Sequence, residues 1–471
     1  MSNALAHLPD YPRIALVLQG GGALGSYQAG VYEGLAKQGI HPNWVAGISI
    51  GALNCAIIAG NAPKDRVQRL HEFWQTICSP AVFSHSMMHG HKEAFGGYGS
   101  GEHGSAFGAA AGQALENMGH TMFRSMAAMS ALMNGQEGFF KPRLLGPGSG
   151  SPDSTSFYDT TPLIATLEKF ADFDRINSGE TRVSLGATNV ASGNFVYFDS
   201  KKTKLTPKHF IASGSLPPGF PATEIDGEYY WDGGCVSNTP LEYVLGDSPR
   251  LDTLVFQVDL WRSAGPLPSN ILQVNERLKD IQFSSRTRTV TNAVQMMQRM
   301  RKVFFETIDR IPESVRKNDP WFEQMARHMM GARYNVIHLI YENKQSEGHY
   351  KDFQFSAETM QMHWQTGLHD MDETLAHPAC LEMPAEGENF VTFDIHTHKR
   401  ESSESQFSAS SDKLAPAKKA PAKKAPVKKA AVKKAAVKKT SAQKRVATKV
   451  ATASASTKPS GSQTRPRRAP K

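Results

Sequence analysis

Cysteine is scarce in this chain, with Cys55, Cys78, Cys235 and Cys380 the four among 471 residues. None forms a CxxC pair or a zinc-ligand spacing. That excludes a disulfide scaffold and a structural zinc fold, and leaves free or buried thiols of a reducing compartment. Long apolar runs are also missing. No stretch approaches the ~20 residues a membrane-spanning helix needs, and the opening MSNALAHLPDYPR lacks a basic segment followed by an apolar one. No secretory leader is expected, and a cytoplasmic location follows, with peripheral membrane contact left open. Acidic residues are absent from Lys413–Lys471, which holds 19 Lys and Arg. The net charge of the chain is +9, so residues 1–412 carry −10. A mildly acidic body carries a strongly basic tail.

The body has the apolar content for a large core, 40% of all residues. Ile14–Leu18 is a short β-branched apolar run ending in glycines, the pattern of a parallel strand buried on both faces. Ala23–Gln38 follows with helical spacing, then a second strand at Trp44–Ile48 that runs straight into a small-residue helix, SIGALNCAIIAG. Two strand–turn–helix units in the first 60 residues argue for a three-layer α/β fold. The rhythm breaks at about Ser79–Asp159, rich in Gly, Met, His and Phe. A loop-rich insertion of this length reads as an adaptable apolar cover over a site. Strands are expected again at Arg182–Thr188, Asn194–Phe198, Thr253–Asp259 and Tyr334–Tyr341. Helices are expected at Pro207–Ser213, across Asn270–Met330 and at Ser356–His377. From about Glu401 the composition turns to Ser, then to Lys, Ala and Pro, and reads as disordered.

Three short motifs carry the chemistry. Gly47-Ile48-Ser49-Ile50-Gly51 is a GxSxG sequence between an apolar strand and a small-residue helix, the context of a nucleophile elbow. The helix N-terminus beneath Ser49 favours developing negative charge. Gly20-Gly21-Gly22-Ala23-Leu24-Gly25 satisfies GxGxxG, but a dinucleotide site also wants an acidic residue about 20 positions on, and none lies near His41–Val45. No GK[ST] is present, which removes a P-loop. The glycine run reads better as a set of backbone N–H groups turned toward one oxygen, each such donor worth about 3–4 kcal/mol to a transition state. The third motif is Tyr230-Trp231-Asp232-Gly233-Gly234, a carboxylate on a close-packed turn. The chain order Ser49, Asp232, His338 also matches a Ser–His–Asp triad, although His338 falls in a strand-like segment. Neither HExxH nor a carboxylate cluster points to a metal, and His89 and His91 are read as solvated.

GGGALG, GISIG and DGG in this order resemble the patatin-like phospholipases. ASGSLPPGFPA (Ala212–Ala222) is similar to that family's Ser- and Pro-rich segment ahead of its Asp. The resemblance covers about Pro12–Asp259. Its extension through KDFQFSAETMQMHWQTGLHDMDETL resembles a bacterial subgroup with an added C-terminal region of undefined function, some relatives of which are linked to hydroxybutyrate metabolism. It implies a three-layer α/β/α patatin-like fold with a mainly parallel sheet. A catalytic domain at 10–260 would hold the 79–159 insertion as a lid, with a helical extension at 261–400 and a basic tail at 401–471. It implies a Ser–Asp dyad: Ser49 as nucleophile, Asp232 as base, and the N–H groups of Gly20, Gly21 and Gly22 around the oxyanion. Gly25, Gly47, Gly51, Gly233 and Gly234 support these motifs, and no cofactor or metal takes part. Leu24 departs from the Arg or Lys of many members, which removes a nearby cation. The implied substrate is a lipid or polyester acyl ester. The runner-up readings are a polyhydroxyalkanoate-related esterase and a granule- or nucleoid-associated scaffold with little hydrolase activity.

Lys-Lys pairs recur in the tail at 418, 423, 428, 433 and 438. A five-residue step on an α-helix turns successive pairs about 140° apart, so no single face collects them. A polycation of this kind binds DNA or another polyanion through counterion release, and would tether the body to nucleoid, lipid granule or inner membrane surface. Deleting residues 413–471 is expected to abolish a low-salt DNA gel shift and leave ester turnover intact. Loss of turnover would place the tail in the catalytic unit.

Overall fold

β1 (Arg13–Leu18) holds the middle of the sheet because its side chains can be covered on both faces. Ala15 and Val17 join one apolar cluster with Trp44, Ala46 and Val255, while Leu16 and Leu18 join another with Val45 and Phe256. The alternation puts core on each side of the strand. The structure is a computed structural model and describes residues 8–78, 126–143, 155–285, 287–317, 319–329, 331–342, 348, 350–385 and 389–395. The expected basic tail, most of the expected insertion, and His89 and His91 lie outside these residues.

The central sheet has nine strands in the order β11-β10-β9-β1-β2-β5-β8-β7, with β6 also on β5. Here β2 is Trp44–Gly47, β5 Arg182–Asn189, β6 Phe195–Asp199, β7 Thr223–Ile225, β8 Glu228–Asp232, β9 Thr253–Asp259, β10 Tyr334–Ile340 and β11 Phe390–Asp394. The run from β11 to β5 is parallel, and β6, β7 and β8 attach antiparallel. A separate antiparallel pair joins β3 (Lys141–Pro142) to β4 (Tyr158–Asp159). The architecture is mixed α/β, with helices packed on a central sheet.

The first expected helix is shortened. Gly22 has φ +58°, and a 3₁₀ turn occupies Gly22–Gly25 before α1 begins at Ser26 and runs to Lys37. The helix at Pro207–Ser213 keeps its expected bounds, capped by Thr206 and its reciprocal bond with His209. The segment expected as a helical extension contains strands as well: β10 pairs with β9 and β11 with β10. It also supplies the helix Ala357–Leu375, whose Ser356 hydroxyl accepts from the Thr359 N–H.

That helix lies against α1 at backbone distance. A Cβ on Gly30 would stand 1.9 Å from the Trp364 carbonyl oxygen, and one on Gly367 2.0 Å from that of Tyr27. Only residues without a side chain permit this approach. At the opposite end of the sheet from its carboxyl-terminal loops, Arg13 and Arg182 share Asp247 at 2.7 and 2.8 Å, and Arg182 also binds the fully buried Asp199 at 2.6 Å. Trp44 lies under the Arg182 guanidinium at 3.7 Å. Gly367→Ala is expected to lower the thermal unfolding midpoint by several degrees, the equivalent of about 1–3 kcal/mol of overpacking. A midpoint equal to wild type would show that the two helices separate freely.

Candidate functional site

Two loops leave the carboxyl ends of adjacent parallel strands, where open α/β sheets place their ligands. After β1 comes the glycine run, and after β2 comes Ser49. Ser49 has φ 55° and ψ −124°, a region that a side chain adopts only under constraint. The constraint is visible on both sides. Its N–H donates to the Ser213 carbonyl and hydroxyl oxygens, each at 3.1 Å, while its own carbonyl accepts from Ala52 at 2.9 Å as α2 (Ile50–Ala59) begins. Gly47 and Gly51 flank a turn with no room for side chains. A Cβ on Gly47 would meet Gly51 at 2.5 Å, and one on Gly51 would meet the Leu18 carbonyl oxygen at 2.4 Å.

Asp232 ends β8, two residues from the close of β5. It is 2% exposed, its carboxylate accepts from the Gly234 N–H at 2.7 Å, and it lines the same cavity as Ser49, close enough for that side chain to favour the ionised form. Burial pushes its pKa up to about 7, with the bonds from Ser49 and Gly234 opposing the rise. Gly233 sits against the Gly186 carbonyl, and Gly25 against Ile50, at distances that exclude a side chain. The structure therefore brings together Ser49, Asp232 and the glycines of all three motifs.

Gly20 corrects one expectation. Its N–H donates to the Asn238 carbonyl at 3.3 Å, and its own carbonyl accepts from Asn238 Nδ2 at 3.0 Å and Trp261 Nε1 at 2.8 Å. Gly20 is an anchor, already satisfied, and is not a third donor aimed at the site. The Gly21 and Gly22 N–H groups make no hydrogen bond among the described residues. His338 does not join Ser49 either. It lies within β10, with Nε2 2.5 Å from Asp259 Oδ2, and is not among the residues around the cavity. Leu24, the departure from the basic residue of many relatives, is fully buried in the core.

Several residues whose holding role the sequence did not indicate fasten these loops. Gln19 Oε1 accepts from the N–H groups of Leu260 and Trp261 at 2.6 and 3.0 Å, and its Nε2 reaches Thr239 and the Phe283 carbonyl. Ser215 accepts the Asp232 N–H on its carbonyl at 2.9 Å, as Ser213 does for Ser49. The Ser-Gly-Ser turn thus ties the two side chains into one frame. Asn238 was visible in the CVSNTPL run, but nothing in that run indicated its partners.

Facing these polar groups, the cavity has an aromatic wall of Phe139, Phe140, Phe220, Phe353 and Phe355. Phe140 packs edge-on to Tyr158 and Phe355, and tilted against Phe220 at 5.3 Å. Phe139 and Phe140 belong to the described part of the expected insertion, and they are buried. Among the described residues, no group of three His, Cys, Asp or Glu is placed to hold a metal ion.

A family model described as Patatin-like phospholipase matches residues 16–245, and a second, described as Patatin phospholipase, matches residues 281–387. The protein is accordingly classed as a hydrolase. The chain belongs to the patatin-like phospholipase family, with an added C-terminal region of undefined function. No curated protein matches it. Among solved structures, VipD of Legionella pneumophila is similar at 14% identity over 78% of this chain and 67% of that one, with a TM-score of 0.31. A chain of the SpcU–ExoU complex from the type III secretion system of Pseudomonas aeruginosa is similar at 16% identity over 58% of this chain, with a TM-score of 0.22. The match covers 49% of that chain, about half its length.

The raised carboxyl pKa has a thermodynamic sign. Asp232 takes up its proton near pH 7 when folded and near 4 when unfolded, so its ionisation opposes folding as pH rises through 7. Asp232→Asn is expected to melt above wild type at pH 8, by a margin that shrinks toward pH 4. Thermal scans across that range test it, and a margin independent of pH contradicts the assignment.

Proposed function

We propose that Ser49 and Asp232 form a catalytic dyad that hydrolyses lipid acyl esters on a three-layer patatin-like fold. The observation that carries this reading is a serine on a strained elbow and a buried carboxylate brought into one cavity, near enough for the serine to lower the carboxyl pKa. Asp232, ionised above about pH 7, accepts the Ser49 proton as Ser49 Oγ bonds to the ester carbonyl carbon. The tetrahedral oxyanion lies against the Gly21 and Gly22 N–H groups, with the N-terminus of α2 beneath it. When the C–O bond breaks, the leaving alcohol takes the proton back from Asp232. Water then attacks the acyl-enzyme with Asp232 again as base, Asp232 returns that proton to Ser49 Oγ as the acyl C–O bond breaks, and the carboxylic acid departs.

The aromatic wall supports an aliphatic acyl chain as the bound portion of the substrate, because apolar surface buried there gains about 25 cal/mol per Å². No histidine is required, since a carboxylate with a pKa near the working pH serves as the base. The tail Lys413–Lys471 is proposed as a polycationic tether to DNA or another polyanion.

Turnover of p-nitrophenyl butyrate tests the dyad together with labelling by a fluorophosphonate probe. Ser49→Ala and Asp232→Asn are each expected to lose at least ~10³-fold in kcat, with no label on Ser49→Ala. Wild-type kcat/KM is expected to rise with pH to a plateau, with its midpoint near 7. Retention of activity in both variants would show that the nucleophile and base lie elsewhere.

A further inference from the structure

The helix Ile271–Phe283 is inverted. Three of its four charged side chains turn toward the protein: Arg277 donates to the carbonyls of Arg262 and Ser263, Lys279 binds both Asp352 oxygens at 2.8 Å, and Asp280 binds the buried Lys351 at 2.6 Å. Its aliphatic side chains turn outward. Ile271 is 72% exposed, Leu272 62%, Leu278 60%, Ile281 56% and Val274 45%. The positions 271, 274, 278 and 281 keep the spacing of one helical face. A solvated helix of a monomeric protein has the opposite arrangement, and a continuous outward aliphatic face marks an interaction surface.

A second stripe repeats the pattern. In the helix at 126–134, Met126, Met129 and Met133 are exposed by 56%, 49% and 70%. Each stripe belongs to a segment that continues into the cavity. Five residues beyond the helix at 126–134 come Phe139 and Phe140 of the aromatic wall, and the inverted helix ends at Phe283, which also lines the cavity.

We infer that these two stripes are a docking surface for the uncharged apolar layer of a lipid aggregate, which seats the cavity on the bilayer or droplet that holds its substrate. The inference rests on the lipid-ester reading above. Three features favour a lipid phase over a protein partner. The stripes are aliphatic or thioether throughout, without the Trp, Tyr and Arg anchors that carry protein–protein affinity. The fully exposed polar residues among the aliphatic ones on the inverted helix are the neutral amides Gln273, Asn275 and Gln282, while Glu276 is half-buried. Both stripes are also continuous in chain with the cavity lining, so docking brings an acyl chain to the place where the wall begins. Lys279–Asp352 and Lys351–Asp280 fasten the inverted helix to the turn whose Asp352 carbonyl abuts Gly22, which keeps docking surface and glycine loop in fixed relation.

The test uses the full-length protein, flotation on dioleoylphosphatidylcholine vesicles, and turnover of monomeric p-nitrophenyl butyrate. Zwitterionic vesicles in about 0.5 M salt silence the basic tail. Wild type is expected to float. Ile271→Gln/Leu278→Gln/Ile281→Gln is expected to bind at least ~30-fold more weakly, with unchanged melting temperature and butyrate turnover, since each side chain gives up apolar burial in the lipid. A wild type that stays in solution overturns the proposal, as does a triple variant that floats equally well. So does a wild-type dimer that the triple variant converts to monomer, which would assign the face to a second copy. Absence of butyrate turnover in wild type with flotation intact would instead fail the dyad reading and leave the docking surface standing.

Discussion

A carboxylate shut away from water and facing a hydroxyl sets the terms for the rest of this molecule. Ionising Asp232 in place costs on the order of 4 kcal/mol relative to water, the equivalent of a pKa near 7. The fold offsets part of that cost through the Gly234 N–H, which the carboxylate accepts, and through the neighbouring Ser49 side chain, which favours the charged form. Its position is fixed from behind through Ser215, and that of Ser49 through Ser213. Two carbonyl groups two residues apart therefore hold the separation between serine and carboxylate. Both serines lie in the ASGSLPPGFPA segment noted in the sequence, though nothing in that segment shows which groups their carbonyls hold.

The glycine run shows the same division of labour. Gly20 spends its hydrogen-bonding capacity on Asn238 and Trp261, while Gly21 and Gly22 line the cavity with N–H groups that make no hydrogen bond among the described residues. Gln19 then secures Leu260 and Trp261, so the loops after β1 and β9 brace one another. The polar half of the site is thus a hydrogen-bonded shelf attached to the carboxyl ends of central strands. The apolar half is a set of phenylalanines drawn from distant parts of the chain.

Much of this was legible in sequence. The IALVL run, the GISIG elbow and the DGG turn declared themselves because local backbone needs restrict the residue types there: glycine where a Cβ would strike a neighbour, and apolar residues where both strand faces are covered. Pro207–Ser213 could be bounded correctly because a proline at its first turn and a helix-capping threonine are local signals. The anchoring role of Gly20 was not legible, since it depends on Asn238, more than two hundred residues away. Phe139 and Phe140 could be assigned to a cover by composition, but not to a wall with Phe220 and Phe355. The inverted helix was hidden for a similar reason: its spacing is amphipathic in either orientation, and only the tertiary ion pairs of Lys279 and Asp280 decide which face turns outward.

The Gly30–Gly367 contact and the place of β10 beside β9 also have a temporal meaning. The elbow and the glycine loop are synthesised within the first 60 residues, yet Gly22 rests on Asp352 and α1 on the helix Ala357–Leu375. During synthesis Ser49 emerges from the ribosome hundreds of residues before the parts that complete its surroundings. The finished arrangement of this hydrolase can exist only after nearly all of the body has been released, so the order of the chain itself delays the assembly of its site.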